Sequence, residues 1–84
     1  MGTKETPAKF DCYANALPDE PMFVLLARDP YASILVYQWA HHRRMEILDG
    51  ERPKSDLAVV EEAEACGKAM RVWRAENAGK WRKR

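Results

Sequence analysis

The feature that most constrains this chain is a break in its helix-forming sequence at residues 49–53, which read DGERP. Glycine suits the left-handed position that ends many helices, and a proline shortly afterwards cannot continue one. Asp29 followed by Pro30 is the matching start signal, an N-cap residue with proline in the first turn. The two signals predict one helix over residues 30–48 and a second over residues 55–76.

The second of these long helices carries the clearest periodic pattern in the sequence. Its apolar residues recur at 4-3-4-3 spacing, which places them on a single stripe of a helix: Val59, Ala63, Cys66, Met70 and Trp73. We expect this stripe to face the core. The first long helix is apolar over more than one face, which predicts burial on two sides and a core position for Trp39 as well as Trp73.

The apolar run before Asp29 allows two interpretations. Asp19 is a suitable N-cap and Pro21 suits a first helical turn, so residues 20–28 are predicted to form a short helix. Residues 22–27, MFVLLA, also have the composition of a strand, and a strand formed between molecules is the alternative. Because no other segment reads as a strand, the predicted fold class is all-α: a short N-terminal helix followed by a two-helix antiparallel hairpin.

The length of 84 residues allows one domain with a modest core. We expect a flexible N-terminus over residues 1–9, a single helical domain over residues 10–79 and a basic tail over residues 80–84. Cys12 and Cys66 are too few for a disulfide framework, so both are expected to be reduced and the protein cytoplasmic. Small scaffolds without disulfides commonly gain burial by association, so a homo-oligomer is expected to complete the fold.

Charge and residue types argue against several classes of function. The formal net charge of +1 is too small for a dedicated duplex-DNA binder, although acids cluster in residues 55–64 and bases in residues 68–84. The longest apolar run is far short of the roughly 20 residues that span a bilayer. Cys66 lies on a core stripe, where a thiol is usually inert, and the hydroxyl side chains form no triad-like set. We therefore expect neither an enzyme nor a membrane protein, and no cofactor.

The most conspicuous cluster is the run His41-His42-Arg43-Arg44 near the end of the first long helix. One interpretation is a solvated basic end, since cations are favoured near a helix C-terminus. The other is a phosphate or carboxylate site, with a tyrosine as a stacking platform. The candidate ligand-binding residues for that site are Arg28, Tyr37, His42, Arg43, Arg44 and Arg71. The histidines and cysteines have no recognised zinc spacing, so no metal site is expected.

Residues 18–29, PDEPMFVLLARD, followed by Trp39-Ala40, resemble small accessory proteins encoded by bacteriophages and prophages. The similarity includes Cys66 and Met70 in the last helix and extends over residues 13–81. It implies a setting, since short accessory phage proteins often antagonise bacterial defence. Helical-hairpin sponges that trap cyclic nucleotides are similar in size, but their sequence pattern is not present here and none of their binding residues can be carried over.

Two functions follow as hypotheses. The first is a phage-type anti-defence protein, acting in the host cytosol, that sequesters a small anionic, nucleotide-type immune signal in an oligomer. The alternative is a protein-binding inhibitor that blocks a host enzyme or immune complex through an acidic and aromatic surface. The acids of that surface are Asp56, Glu61, Glu62 and Glu64.

Overall fold

The computed structural model describes residues 2–81 and is mostly helical, with no strand among those residues. The prediction of an all-α fold is confirmed. None of the described helices is long and apolar enough to cross a membrane. The elements in chain order are α1 (Cys12–Asn15), α2 (Ala32–Leu48), a 3-10 turn (Lys54–Asp56), α3 (Leu57–Glu76) and α4 (Ala78–Trp81).

Both ends of α2 follow from the signals in the sequence. At its start, Asp29 Oδ1 accepts a hydrogen bond from the Tyr31 N–H at 2.8 Å, and the Asp29 carbonyl accepts from the Ala32 N–H at 3.1 Å. At its end, Gly50 takes a φ of +80°, the left-handed conformation that favours glycine. The Gly50 N–H donates to the Ile47 carbonyl at 3.1 Å, so the helix stops where the sequence predicted.

The second long helix, α3, begins after the 3-10 turn and runs to Glu76, within two residues of the predicted bounds. The Asn77 N–H and the Asn77 side-chain amide both donate to the Trp73 carbonyl at 2.9 Å, which closes the last turn. Lys80 of the predicted basic tail lies in α4, and residues 82–84 of that tail lie outside the described residues.

The core lies between α2 and α3 and consists of small side chains. The buried apolar residues are Ala32, Ala40, Val60 and Ala63, and Gly67 is buried with them. Val36, Ile47 and Leu57 pack around this centre and are half-buried. Since small residues let two backbones approach closely, the helices meet along a narrow contact that leaves their larger side chains at its margins.

The stripe predicted for α3 is displaced from the buried line. Ala63 is the one member that is buried, while Val59, Cys66 and Met70 are half-buried and Trp73 is 39% exposed. The core position predicted for Trp39 is also wrong, because its side chain is 40% exposed. The buried line passes instead through Gly67, and a pattern that scores hydrophobic side chains gives glycine no weight.

The short helix predicted over residues 20–28 is wrong, because this segment has no regular secondary structure. The short N-terminal helix is α1, whose N-cap Asp11 accepts from the Tyr13 N–H at 3.1 Å. A nine-residue helix is too short to be stable without packing, and this segment packs poorly: Phe23 is 86% exposed. The run is apolar on every side and therefore offers no single face to bury.

Candidate functional site

Arg43 lies on α2 directly above the indole of Trp39. Its guanidinium carbon is 5.3 Å from the ring centroid, which is the geometry of a cation–π contact. The two residues are four positions apart, so one turn of helix brings them together. Arg43 Nη1 is also 3.7 Å from Glu46 Oε2, one turn further along the same helix.

A second arginine, Arg52, reaches the same place from the loop after α2. Arg52 Nε donates to Glu46 Oε2 at 2.7 Å, so one carboxylate oxygen serves both guanidinium groups. Arg52 is not among the ligand-binding residues predicted from the sequence, because it lies in residues 49–53, which separate the two long helices. A signal was available, because the left-handed turn at Gly50 reverses the chain and returns the next residues toward the end of α2.

The two arginines border a pocket of about 210 Å³. Its lining combines guanidinium groups, an indole, one carboxylate and two valines: Trp39, Arg43, Arg52, Asp56, Val59 and Val60. Each guanidinium has five N–H donors, and the contacts with Glu46 use only part of that number. The pocket can therefore offer donors to a small anion, while Asp56 limits its net positive charge.

Arg44 points to a different surface from Arg43, as neighbouring helix positions do. Arg44 Nη2 donates to Glu64 Oε1 of α3 at 2.7 Å, and both side chains are 39% exposed. Tyr37 lies against α3 as well, with its ring over Gly67. Arg44 and Tyr37 thus bridge the two long helices, and neither is placed with Arg43.

The other three candidate ligand-binding residues are dispersed. The Arg28 carbonyl accepts from Arg74 Nε at 3.1 Å, beside an apolar groove described below. His42 is exposed on α2, with its ring edge-on to His41 at 5.9 Å between centroids. Arg71 is exposed on α3. Of the six candidates, only Arg43 lines the pocket.

A larger apolar groove of about 540 Å³ separates α3 from the N-terminal part of the chain. Leu25 and Leu26 form one wall, and the other includes Cys66, Met70 and Trp73 of α3. The stripe predicted for the core thus faces this groove on its later turns. One oxygen of Glu62, Oε2, is enclosed here and accepts no hydrogen bond from the described residues.

The side of α2 that faces away from α3 carries large apolar side chains in the open. We call this surface the outer stripe of α2. Exposed polar residues, Gln38, His41 and His42, occupy its middle. Its apolar members lie at the two ends and are all exposed: Tyr31, Ile34, Leu35, Met45 and Leu48.

Comparison with protein families, with curated proteins and with solved structures finds no match for this chain. Its function has therefore to be argued from its own geometry. Within residues 2–81, no group of three or more His, Cys, Asp or Glu side chains is placed to hold a metal ion. The features that the geometry does provide are an apolar helix surface, an arginine-lined pocket and an apolar groove.

Proposed function

We propose that this chain is a protein-binding module whose outer stripe of α2 docks into an apolar groove of a partner protein. The observation that carries the proposal is the imbalance between core and surface. Among the described residues, four small side chains form the buried core, while fifteen large apolar side chains are exposed. Apolar patches on the surface of a protein commonly mark binding sites, and five of these exposed side chains lie on the outer stripe of α2.

The spacing of the outer stripe suits a helix that binds in a groove. In that mode, anchors at i, i+3 or i+4 and i+7 enter successive pockets of the partner. Tyr31, Ile34 and Leu35 supply anchors at i, i+3 and i+4, and Met45 with Leu48 supplies a second pair three residues apart, while the i+7 positions between the two sets are polar. Between them, His41 and His42 suit a partner groove that is apolar at both ends and offers hydrogen-bonding groups at its centre.

We infer that α3 supports this surface from behind as the second helix of an antiparallel hairpin. The paired contacts that support the inference run in opposite directions along the two helices. Arg44 contacts Glu64, and Tyr37, earlier in α2, contacts Gly67, later in α3. An antiparallel partner fixes α2 in place, so little conformational entropy is lost when it docks.

The resemblance to phage accessory proteins supplies the setting of the proposal, an inhibitor of bacterial defence acting on a host protein in the cytosol. The inhibitory surface predicted from the sequence combines exposed aromatic side chains with four acids, Asp56, Glu61, Glu62 and Glu64. Glu64 is paired with Arg44, and Glu62 has one oxygen enclosed, so these acids do not form one open anionic face. The outer stripe of α2 is therefore the better candidate for the inhibitory surface.

Site-specific photo-crosslinking in host cells tests this proposal. A photo-reactive phenylalanine analogue at Leu35 should give an adduct with one host protein, and the same analogue at Ile34 should give the same adduct. Val72 is exposed on α3 and is the matched control position. Met45→Glu, at the far end of the stripe, should abolish the Leu35 adduct. Equal labelling from Leu35 and Val72, or an adduct unaffected by Met45→Glu, would contradict the proposal.

A second function, sequestration of a small anionic ligand such as a nucleotide, is favoured by the pocket beside Arg43. Two guanidinium groups and an indole are the chemistry that holds a phosphate next to a ring. In an oligomer, a second copy of the chain would enclose the open side of the pocket. The test is thermal stability against inorganic phosphate and a panel of linear and cyclic nucleotides.

One ligand of the panel should raise the melting temperature by several degrees, because binding at 100 times Kd stabilises a protein by about 2.7 kcal/mol. Arg52→Gln should remove the effect. Arg71→Gln, which changes an exposed arginine outside the pocket, is the control and should retain it. A panel with no effect, or equal effects in both variants, would refute the anion site.

A further inference from the structure

We propose that the segment before α2 pairs with the same segment of a second copy of this chain, as a two-stranded antiparallel ribbon over residues 22–26. We call residues 22–26 the pairing segment. The inference goes beyond the docking surface on α2 and does not depend on it. It accounts for a stretch of apolar chain that the fold leaves without a partner.

The backbone of the pairing segment is almost entirely free. Among the described residues, none of the backbone groups from Pro21 to Leu25 takes part in a hydrogen bond. The nearest bonds lie at the two ends, from the Glu20 N–H to Leu17 and from the Asp29 N–H to Leu26, both to carbonyls. A row of free N–H and C=O groups in an apolar segment is a template for strand addition.

The side chains of this segment suit a strand and lie in the open. Phenylalanine and valine are among the residues that favour strands, and Phe23 and Val24 are 86% and 66% exposed. Met22 and Leu26 are also exposed, while Leu25 faces the groove beside α3. Pairing would bring the exposed side chains into contact across the two strands and would satisfy the backbone groups along the paired edge.

The charges that flank the segment favour a second copy in antiparallel register. Centred on Val24, that register sets Met22 opposite Leu26 and brings Glu20 of each copy to Arg28 of the other. Opposite charges across paired strands are stabilising and like charges are not. Parallel pairing would set Glu20 beside Glu20 and Arg28 beside Arg28. The Asp29 carboxylate is held at the start of α2 by the Tyr31 N–H. Glu20 uses one oxygen, Oε1, to accept from the Leu17 N–H at 3.0 Å, which leaves Oε2 for Arg28 of the other copy.

Reversing the charge at Glu20 or at Arg28 tests the antiparallel pairing of the two copies. The wild-type chain should have twice its monomer mass of 9.7 kDa by light scattering at about 100 µM. Glu20→Arg places four like charges at the ribbon ends and should raise the dimer dissociation constant about tenfold, and Arg28→Glu should do the same. An equimolar mixture of the two variants restores both opposite-charge pairs and should recover the dimer.

Disulfide trapping tests the register directly. In a Cys12→Ser, Cys66→Ala background, Val24→Cys places the new thiol opposite its own copy, at a spacing that a disulfide can bridge. The matched control is Phe23→Cys, whose neighbour across the ribbon is Leu25, and it should form the linked dimer much more slowly. Circular dichroism should show the same helix content in the Val24→Cys and Phe23→Cys variants as in their common background, since positions 23 and 24 lie outside the helices.

A wild-type chain that stays monomeric, or a mixture that fails to recover the dimer, would overturn the proposal. Equal disulfide rates at positions 23 and 24 would overturn the register. None of these outcomes bears on the photo-crosslink at Leu35, which reports on the outer stripe of α2. The two proposals can therefore fail separately.

Discussion

Gly67 sets how closely α2 and α3 approach each other. A Cβ atom added there would lie 3.2 to 3.3 Å from three ring carbons of Tyr37, which is tighter than ordinary van der Waals contact. A glycine inside a helix is less favourable than alanine by about 1 kcal/mol. The aromatic contact that the glycine permits is what offsets this cost.

The first prediction concerns this contact. Gly67→Ala alone should change the free energy of unfolding by less than about 0.5 kcal/mol, because the gain in helix propensity is opposed by crowding against Tyr37. In a Tyr37→Ala background the crowding is gone, and the same substitution should stabilise the protein by about 1 kcal/mol. Urea unfolding of the wild type, the two single variants and the double variant gives the effect of Gly67→Ala on the free energy of unfolding in each background. An equal effect in the two backgrounds would show that the ring does not limit this position.

The second prediction concerns the ion pair between Arg44 and Glu64. Although Arg44 Nη2 and Glu64 Oε1 are 2.7 Å apart, both side chains are 39% exposed, so solvent screens the attraction. A double-mutant cycle with Arg44→Ala and Glu64→Ala should give a coupling energy of about 0.2–1 kcal/mol. The coupling should decrease in 1 M salt, where the screening length is about 3 Å. A larger coupling that salt does not change would contradict this description.

At the scale of elements, the sequence predicts helices well where the backbone itself dictates the boundary. Asp29 and Gly50 act through local hydrogen bonds and a local φ angle. The end of α2 lies where Gly50 indicates, and its start at Ala32 lies two residues after the predicted Pro30. The short helix over residues 20–28 failed because its stability depends on packing that the pattern cannot supply. The phase of α3 was wrong because its closest contact is made at Gly67, a residue without a side chain.

The candidate site was harder to predict for a similar reason. Helix geometry predicts that Arg43 and Arg44 point in different directions, and their partners are indeed different, Glu46 and Glu64. Including both among the ligand-binding candidates did not identify which of them borders a pocket. Arg52 was missed because only the turn at Gly50 brings it back to Glu46. Spacing along α2 predicts the local contacts of Arg43, but the return of Arg52 to Glu46 and the pairing of Arg44 with Glu64 depend on how the loop and α3 pack against α2.

A third prediction compares the buried contact between α2 and α3 with the outer stripe of α2. Val60 is 1% exposed, so Val60→Ala should lower the free energy of unfolding by about 1.5–3 kcal/mol through lost burial and a residual cavity. Leu48 is 72% exposed, and Leu48→Ala should cost less than about 0.5 kcal/mol in the same urea titration. If the two costs were equal, the outer stripe would already be covered in the free protein.

At the scale of the whole molecule, the stability of the fold is limited by the small amount of apolar surface that it buries. A domain of this size removes a smaller share of its surface from water than a larger one does, and here the buried apolar side chains are mostly alanines. A single copy of the chain therefore leaves much of its apolar surface exposed to water. The outer stripe of α2 and the pairing segment are the two parts of that surface with a defined geometry.

A fourth prediction follows from the ribbon. If the dimer contributes to stability, the melting temperature should rise by several degrees over a hundredfold increase in protein concentration, by mass action. Val24→Pro removes a backbone donor from the pairing segment and should abolish this dependence. Val24→Thr keeps the donor and a β-branched side chain, so it should retain most of the dependence. A melting temperature independent of concentration in the wild type would count against a stabilising dimer.

The pairing segment also affects the tendency of the chain to aggregate in a cell. Apolar, strand-favouring runs of about six residues without charge or proline are the usual seeds of amyloid. The pairing segment is flanked on one side by Pro18, Glu20 and Pro21, and on the other by Arg28. These residues act as gatekeepers, because prolines remove donors and charges oppose the stacking of identical strands. Replacing Pro18 and Pro21 by alanine should leave the helices unchanged and should cause the protein to form fibrils, visible by thioflavin T fluorescence, under conditions in which the wild type forms none.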